Sequence, residues 1–165
     1  MLSAETANLY ATHEVENQPP PLQEYDAFAS DAVLVEGVER EGAGWAVPML
    51  TEFGRLTTNE QVINLGFQAN RNRPQLRTHD RFGHRVDEVE FHPAYDGLMS
   101  LGVEAGTHSL PWNDPRPGAH VARVAMNVMF YPIESGVGCP LTMTFAGVPV
   151  LKQEGDWGNE WVARL

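Results

Sequence analysis

Six histidines, His13, His79, His84, His92, His108 and His120, are the side chains with the most evident capacity for metal chemistry. None of them pair at the HxH, HxxxH or HExxH spacings that put two imidazoles on one face of a strand or helix. His79 and His84 stand five apart across a turn, which offers at most a weak surface pair. Cys139 is the sole cysteine, so thiolate clusters and internal disulfides are excluded, and its ordinary reading is a small buried side chain. No metal site is expected. Nucleophile elbows, phosphate-binding loops and dinucleotide fingerprints are missing too: there is no GxSxG, GxxxxGK or GxGxxG. Asp87, Glu88 and Glu90 alternate along a short strand, the pattern of a solvated face. The expectation is that this chain carries no catalytic residue and no cofactor-binding residue.

One cluster stands out by charge. Arg71, Arg73, Arg77, Arg81 and Arg85 fall within fifteen residues with only Asp80 opposing them, inside a protein of net charge −11. They form a candidate nucleic-acid or interface patch. A whole-domain nucleic-acid surface is disfavoured, because phosphates repel so acidic a chain. The competing reading pairs the arginines with the acidic run that follows, or with carboxylates across a subunit interface.

The elements that must position these residues are mostly helices. With 165 residues, 42% of them apolar, the chain can bury a sizeable core as one domain. Its least solvent-tolerant stretch is Pro117 to Leu151. Val121, Val124, Ala125, Val128 and Met129 recur at the spacing of one buried helical face. Cys139 to Leu151 is uncharged and apolar almost all round, as a helix covered on several sides would be. Periodicity leaves part of it ambiguous, since Leu141, Met143 and Phe145 alternate with Thr142 and Thr144 as a half-buried strand would. Pro140 favours a helix start there, and Pro149 should kink or end that helix by removing a donor to the carbonyl of Phe145.

Elsewhere, Pro19 to Pro21 make residues 1–29 an extended arm. Ser30 is placed to cap a helix carrying Val33, Leu34, Val35 and Val38, closed by Gly42 and Gly44. Trp45 anchors the next helix into the core. Thr57 and Glu60 have capping-box spacing ahead of a helix ended by Pro74, and Gly66 within it suggests close helix-to-helix contact. Residues 76–91 read as a small exposed β-hairpin turning at Asp80 to Gly83. Pro93 opens a further helix, Trp112 to Gly118 is a loop, and Trp157, Trp161 and Leu165 share one side of a last helix that looks cut short. Five to seven helices and one hairpin are expected. The N-terminus lacks the basic and apolar regions of a signal peptide, and no run approaches the roughly 20 apolar residues of a membrane helix, so a cytoplasmic location is expected.

Five blocks carry a resemblance. NQPPPL (Asn17 to Leu22), EREGAGW (Glu39 to Trp45), FHPAY (Phe91 to Tyr95), GAHVARVA (Gly118 to Ala125) and CPLTMTFAGVPVL (Cys139 to Leu151) closely resemble the N-terminal region of AidB-type acyl-CoA dehydrogenases, the branch tied to the adaptive response to DNA alkylation. The resemblance runs from about Thr12 to Trp157. It implies an all-α domain with one small β-hairpin over 30–165, the first layer of a longer FAD-dependent flavoprotein. The family's flavin fingerprint and catalytic acid lie past Leu165, and its DNA-binding surface is attributed to the C-terminal part. FAD is therefore expected for a full-length parent protein and not from residues of this chain. By analogy with the broader family, the helix matching Cys139 to Leu151 lines the acyl pocket, with Leu141, Thr142, Thr144 and Phe145 as the candidate lining residues. Expected partners are the remaining domains of the flavoprotein, further copies in a homo-oligomer, and DNA through the parent protein, with no membrane. The alternative is a stand-alone, non-enzymatic protein-interaction module derived from the same domain.

Overall fold

Helix starts in this chain are set by short polar side chains that take up backbone N–H groups with no partner inside the helix. Residues 11–165 are described here from a computed structural model. Helix α1 (Ala32–Arg40) is capped by Asp31, whose carboxylate accepts from the N–H groups of Val33 at 3.1 Å and Leu34 at 3.0 Å. The cap is thus one residue later than Ser30, whose own N–H donates back to the carbonyl of Asp26. A single 3₁₀ turn, Gly44–Ala46, leads into α2 (Val47–Thr57).

The expected capping box at Thr57 does not form. Thr57 still belongs to α2, and its buried hydroxyl donates to the carbonyl of Gly54. Asn59 caps α3 (Glu60–Arg71) instead, and the carboxylate of Glu24, 36 residues upstream, accepts from the N–H of Glu60 at 2.7 Å. The Glu24 contact comes with the arm, which is exposed from Ala11 to Leu22 and then settles against the end of α2. There the N–H of Glu24 donates to the Thr58 carbonyl and Phe28 is fully buried. Gly66 does mark a close approach, but to a turn: an added Cβ would lie 2.4 Å from the carbonyl oxygen of Ile133, which follows a later helix.

Strands β1 (Gln75–His79) and β2 (Arg85–Glu90) pair antiparallel, with Leu76 opposite Val89 and Arg77 opposite Glu88. The turn closes because the Asp80 carboxylate accepts from the N–H groups of Phe82 and His84. Asp87, at φ +48°, sits where the register slips between Arg77 and His79, so β2 carries a bulge.

Four helices and one short one complete the chain: α4 (Pro93–Glu104), α5 (Leu110–Asn113), α6 (Ala119–Phe130), α7 (Ser135–Leu151) and α8 (Gly155–Val162). Eight α-helices in the described residues exceed the five to seven expected, partly because Trp112 lies inside α5 and the loop begins only at Asp114. The architecture is all-α with one hairpin, as the sequence predicts. Phe28, Val38, Leu50, Leu98, Met126, Phe130 and Val137 fill its interior.

The buried side of α6 agrees with the expected one at Ala125 and Met129, with Val121 half-buried, and departs from it elsewhere. Val124 and Val128 are 53% and 49% exposed, while Ala119, Ala122, Arg123, Met126, Met129 and Phe130 turn inward alongside Ala125. Alanines at 119, 122 and 125 allow neighbouring backbone close in, an advantage that ranking by hydropathy gives to valine instead. α7 is also covered less than expected. Val137, Gly138, Leu141 and Val148 are buried, yet Met143 and Val150 face outward. Pro140 lies five residues beyond the helix start at Ser135. No helix among the described residues is long and apolar enough to cross a membrane.

Candidate functional site

Pro149 has no N–H, so the carbonyl of Phe145 one turn earlier loses its helical donor. The helix continues to Leu151 regardless. The replacement donor is the indole N–H of Trp112, 3.0 Å from that carbonyl. The same contact lays the Trp112 ring on the Phe145 ring, centroids 4.9 Å apart and planes 24° apart. His120, in the first turn of α6, meets both rings edge-on at 5.3 and 5.8 Å. A proline in one helix is thereby answered by an aromatic cluster drawn from α5, α6 and α7.

Arg123 lies beneath that cluster. Its residue is only 6% exposed, and no carboxylate among the described residues pairs with it. Its Nε donates to the carbonyl of Thr107 at 2.7 Å and an Nη to the hydroxyl of Thr142 at 3.3 Å. The guanidinium carbon stands 3.6 Å from the centre of the Phe145 ring. Burial pulls its pKa below the usual guanidinium range, with nearby Tyr131 acting the other way. The Tyr131 hydroxyl hydrogen-bonds Thr142 Oγ1. Thr107 itself is buried and donates to the Gly102 carbonyl at 2.8 Å. Nearby His108 has a buried Nδ1 with no partner among the described residues, and burial, then the Arg123 charge, hold its imidazole below the ordinary pKa of 6.5.

These contacts sort the four candidate lining residues. Thr142 and Phe145 belong to one polar and aromatic cluster, held by Arg123, Tyr131 and Trp112. Leu141 is 3% exposed and fills the core, its Cδ1 only 2.5 Å from where a Cβ on Gly102 would be. Thr144 is half-buried. Next to the cluster, Pro111, Trp112, Pro115, Arg116, Pro117, Ala119, His120 and Lys152 line a cleft of about 470 Å³. A second cleft of about 380 Å³, between the arm and α3, holds none of these residues.

The sequence reading did not single out Arg123, Trp112 or Tyr131. Two signals for them exist: Arg123 interrupts an otherwise apolar run, and Pro149 demands an outside donor for Phe145. Cys139, expected buried, is exposed on α7.

The five arginines are all exposed. Arg77 pairs with Glu90 at 2.6 Å and reaches Glu88 at 3.9 Å, and Arg85 pairs with Asp87 at 2.6 Å. Arg81 lies over its neighbour Phe82. Arg71, Arg73 and Arg81 make no ion pair among the described residues. The acidic run therefore neutralises two of the five.

Residues 17–165 match the family described as the adaptive response protein AidB N-terminal domain. The chain is similar to the putative acyl-CoA dehydrogenase AidB of Escherichia coli (strain K12), 43% identical over 145 residues, which is 87% of this chain and 27% of that protein. It is 30% identical over 116 residues to acyl-CoA dehydrogenase family member 11 of Caenorhabditis elegans, 69% of this chain and 19% of that one. Among solved structures, Caenorhabditis elegans ACDH-11 in complex with C11-CoA overlays 89% of this chain and 26% of its own, with TM-score 0.73 and 24% identity. The structure titled Bd2924 apo-form overlays 82% of this chain and 28% of its own, with TM-score 0.74 and 20% identity. At those identities the two overlays show a shared fold. The chain spans 27% and 19% of the two curated relatives.

Proposed function

The chain belongs to the AidB N-terminal domain family, and on that premise we propose that it serves as the helical N-terminal domain of an AidB-like, FAD-dependent acyl-CoA dehydrogenase. In this reading the α7 segment around Thr142, Thr144 and Phe145 forms one wall of the acyl pocket, and the domain contributes to oligomer contacts. The observation that carries it is the way Arg123, Tyr131 and Trp112 fix Thr142 and Phe145 from the protein side. A wall is useful for selecting substrate only if its side chains are held in place. Leu141 has a different part here, anchoring α7 against Gly102 and the core.

Among the described residues, the cleft beside the aromatic cluster lacks the groups that would cradle FAD. The cleft beside Trp112 is walled by three prolines, two rings and two cations, with no glycine-rich turn to present backbone N–H groups to a pyrophosphate. What this chain's own residues do is bind and orient: the Arg123 donor fixes the Thr142 hydroxyl, and the Phe145 ring is held between Arg123 and Trp112.

The test is calorimetric binding of acyl-CoA thioesters, C11-CoA among them, to the whole flavoprotein and to its Thr144→Trp variant. A ring on the pocket wall should weaken long chains about tenfold while sparing short ones. Equal affinities at every chain length would sink the pocket reading. A role in the alkylation response is the family name's suggestion, and a deletion strain with wild-type resistance to a methylating agent would remove it.

A further inference from the structure

The hairpin has two unlike faces. On one, Gln75, Arg77, Glu88 and Glu90 share the register, and Arg77 is paired with both acids. On the other, Leu76 and Val89 stand directly opposite each other at 64% and 50% exposed, with Phe91 continuing the row. Phe91 stacks on Tyr95 at 4.5 Å and so ties the hairpin's base to α4. At the tip Phe82 is 71% exposed beneath Arg81. Two strands with one uncovered apolar face are marginal by themselves, and a face of this kind is ordinarily completed by packing against another element.

We propose that the Leu76–Val89 face of the hairpin docks on a second copy of this chain. This rests on the oligomer contacts proposed above and names the surface that makes them. Charge complementarity selects the partner. The segment from Arg71 to Glu90 holds five arginines against four carboxylates, and the rest of the chain holds six basic side chains against eighteen carboxylates. A second copy thus presents an acidic body to Arg71, Arg73 and Arg81, which lack ion pairs of their own among the described residues. Face packing is favoured over strand addition for two reasons: the bulge at Asp87 distorts the β2 edge, and an antiparallel β2 pair would set Asp87 and Glu88 among their own copies. Nucleic acid fits the patch less well, because an apolar pair occupies its centre and Arg77 and Arg85 are already neutralised.

Sedimentation velocity on the 165-residue chain, from about 1 to about 100 µM, tests this. The wild type should associate reversibly, and added salt should weaken it. Leu76→Ser with Val89→Ser should weaken association about tenfold or more, and Arg81→Glu with Arg73→Glu should do the same. Both pairs should keep the wild-type far-UV circular dichroism, since neither touches the core. If a pair unfolds the chain, Thr78→Arg on the same face replaces it. A chain that stays monomeric throughout overturns both the oligomer contacts and this surface. An oligomer unaffected by the hairpin variants overturns this surface alone. So does salt-dependent binding of duplex DNA that is lost in Arg81→Glu with Arg73→Glu while self-association persists.

Discussion

The sharpest test of the site is a double-mutant cycle on Trp112 and Pro149. Trp112→Phe keeps a ring to stack on Phe145 but removes the indole N–H that serves the Phe145 carbonyl. That carbonyl is half-buried and has no helical donor, so losing the bond costs about 1–2 kcal/mol, with about 1 kcal/mol more for the smaller ring. In a Pro149→Ala background the new N–H can donate to the same carbonyl along the helix. The hydrogen-bond part of the cost then disappears, and the coupling between the two sites should be about 1 kcal/mol. Urea unfolding followed by circular dichroism at constant m-value reads all four corners. For a domain of this size Trp112→Phe should lower Tm by roughly 4–10 °C with Pro149 present. Additive effects within about 0.3 kcal/mol would refute the argument that the indole replaces the proline's missing donor.

Glycine substitutions should split by what surrounds each position. Gly66→Ala drives a Cβ to 2.4 Å from the backbone oxygen of Ile133 and should cost about 2 kcal/mol or more, whereas Gly97→Ala meets only Leu65 at 3.5 Å and should gain up to about 1 kcal/mol in thermal or urea unfolding. The Asp80 carboxylate, held below its ordinary 3.8 by the His84 side chain, orders the hairpin turn above that value and releases it as pH falls below it; amide protection at Phe82 and His84, taken relative to the unfolded chain at the same pH, should fall there, and Asp80→Ala should show low protection at every pH. His108 has the opposite charge type. Its neutral form is the folded one, so the unfolded chain takes up a proton first and stability falls as pH drops below 6.5. Imidazole NMR should show His108 titrating below the ordinary 6.5, and an equal or higher value would contradict its burial. Arg123→Met should leave the Thr107 carbonyl and Thr142 hydroxyl without their donor, costing about 1–3 kcal/mol in the same unfolding assay even though a buried charge is removed.

The hairpin and the helical class were legible in the sequence because they are local. Asp80, Gly83 and the alternating run after them specify a turn and two strands within sixteen residues, and Pro93 directly after the capping His92 suits a first helical turn. Helix caps were only partly legible. Ser30 and Thr57 satisfy the spacing of a cap, but Asp31 and Asn59 took those roles, since the actual start depends on which residue leaves the helix, and Glu24 reaches α3 from 36 residues away. The site was less legible still. Thr142 and Phe145 could be named only through a family resemblance.

By itself the sequence determined that α7 would need help at Pro149, because a missing N–H is a covalent fact. Which group would give that help was decided by tertiary structure, which brings Trp112 from 33 residues away. The same division holds for α6. Its apolar content was written in the residues from Val121 to Met129, but the choice of buried side depended on which neighbours the small alanines admit. Arg123 went inward with them, because Thr107, Thr142 and the Phe145 ring compensate there for the water it gives up, and none of the three is adjacent to it in sequence.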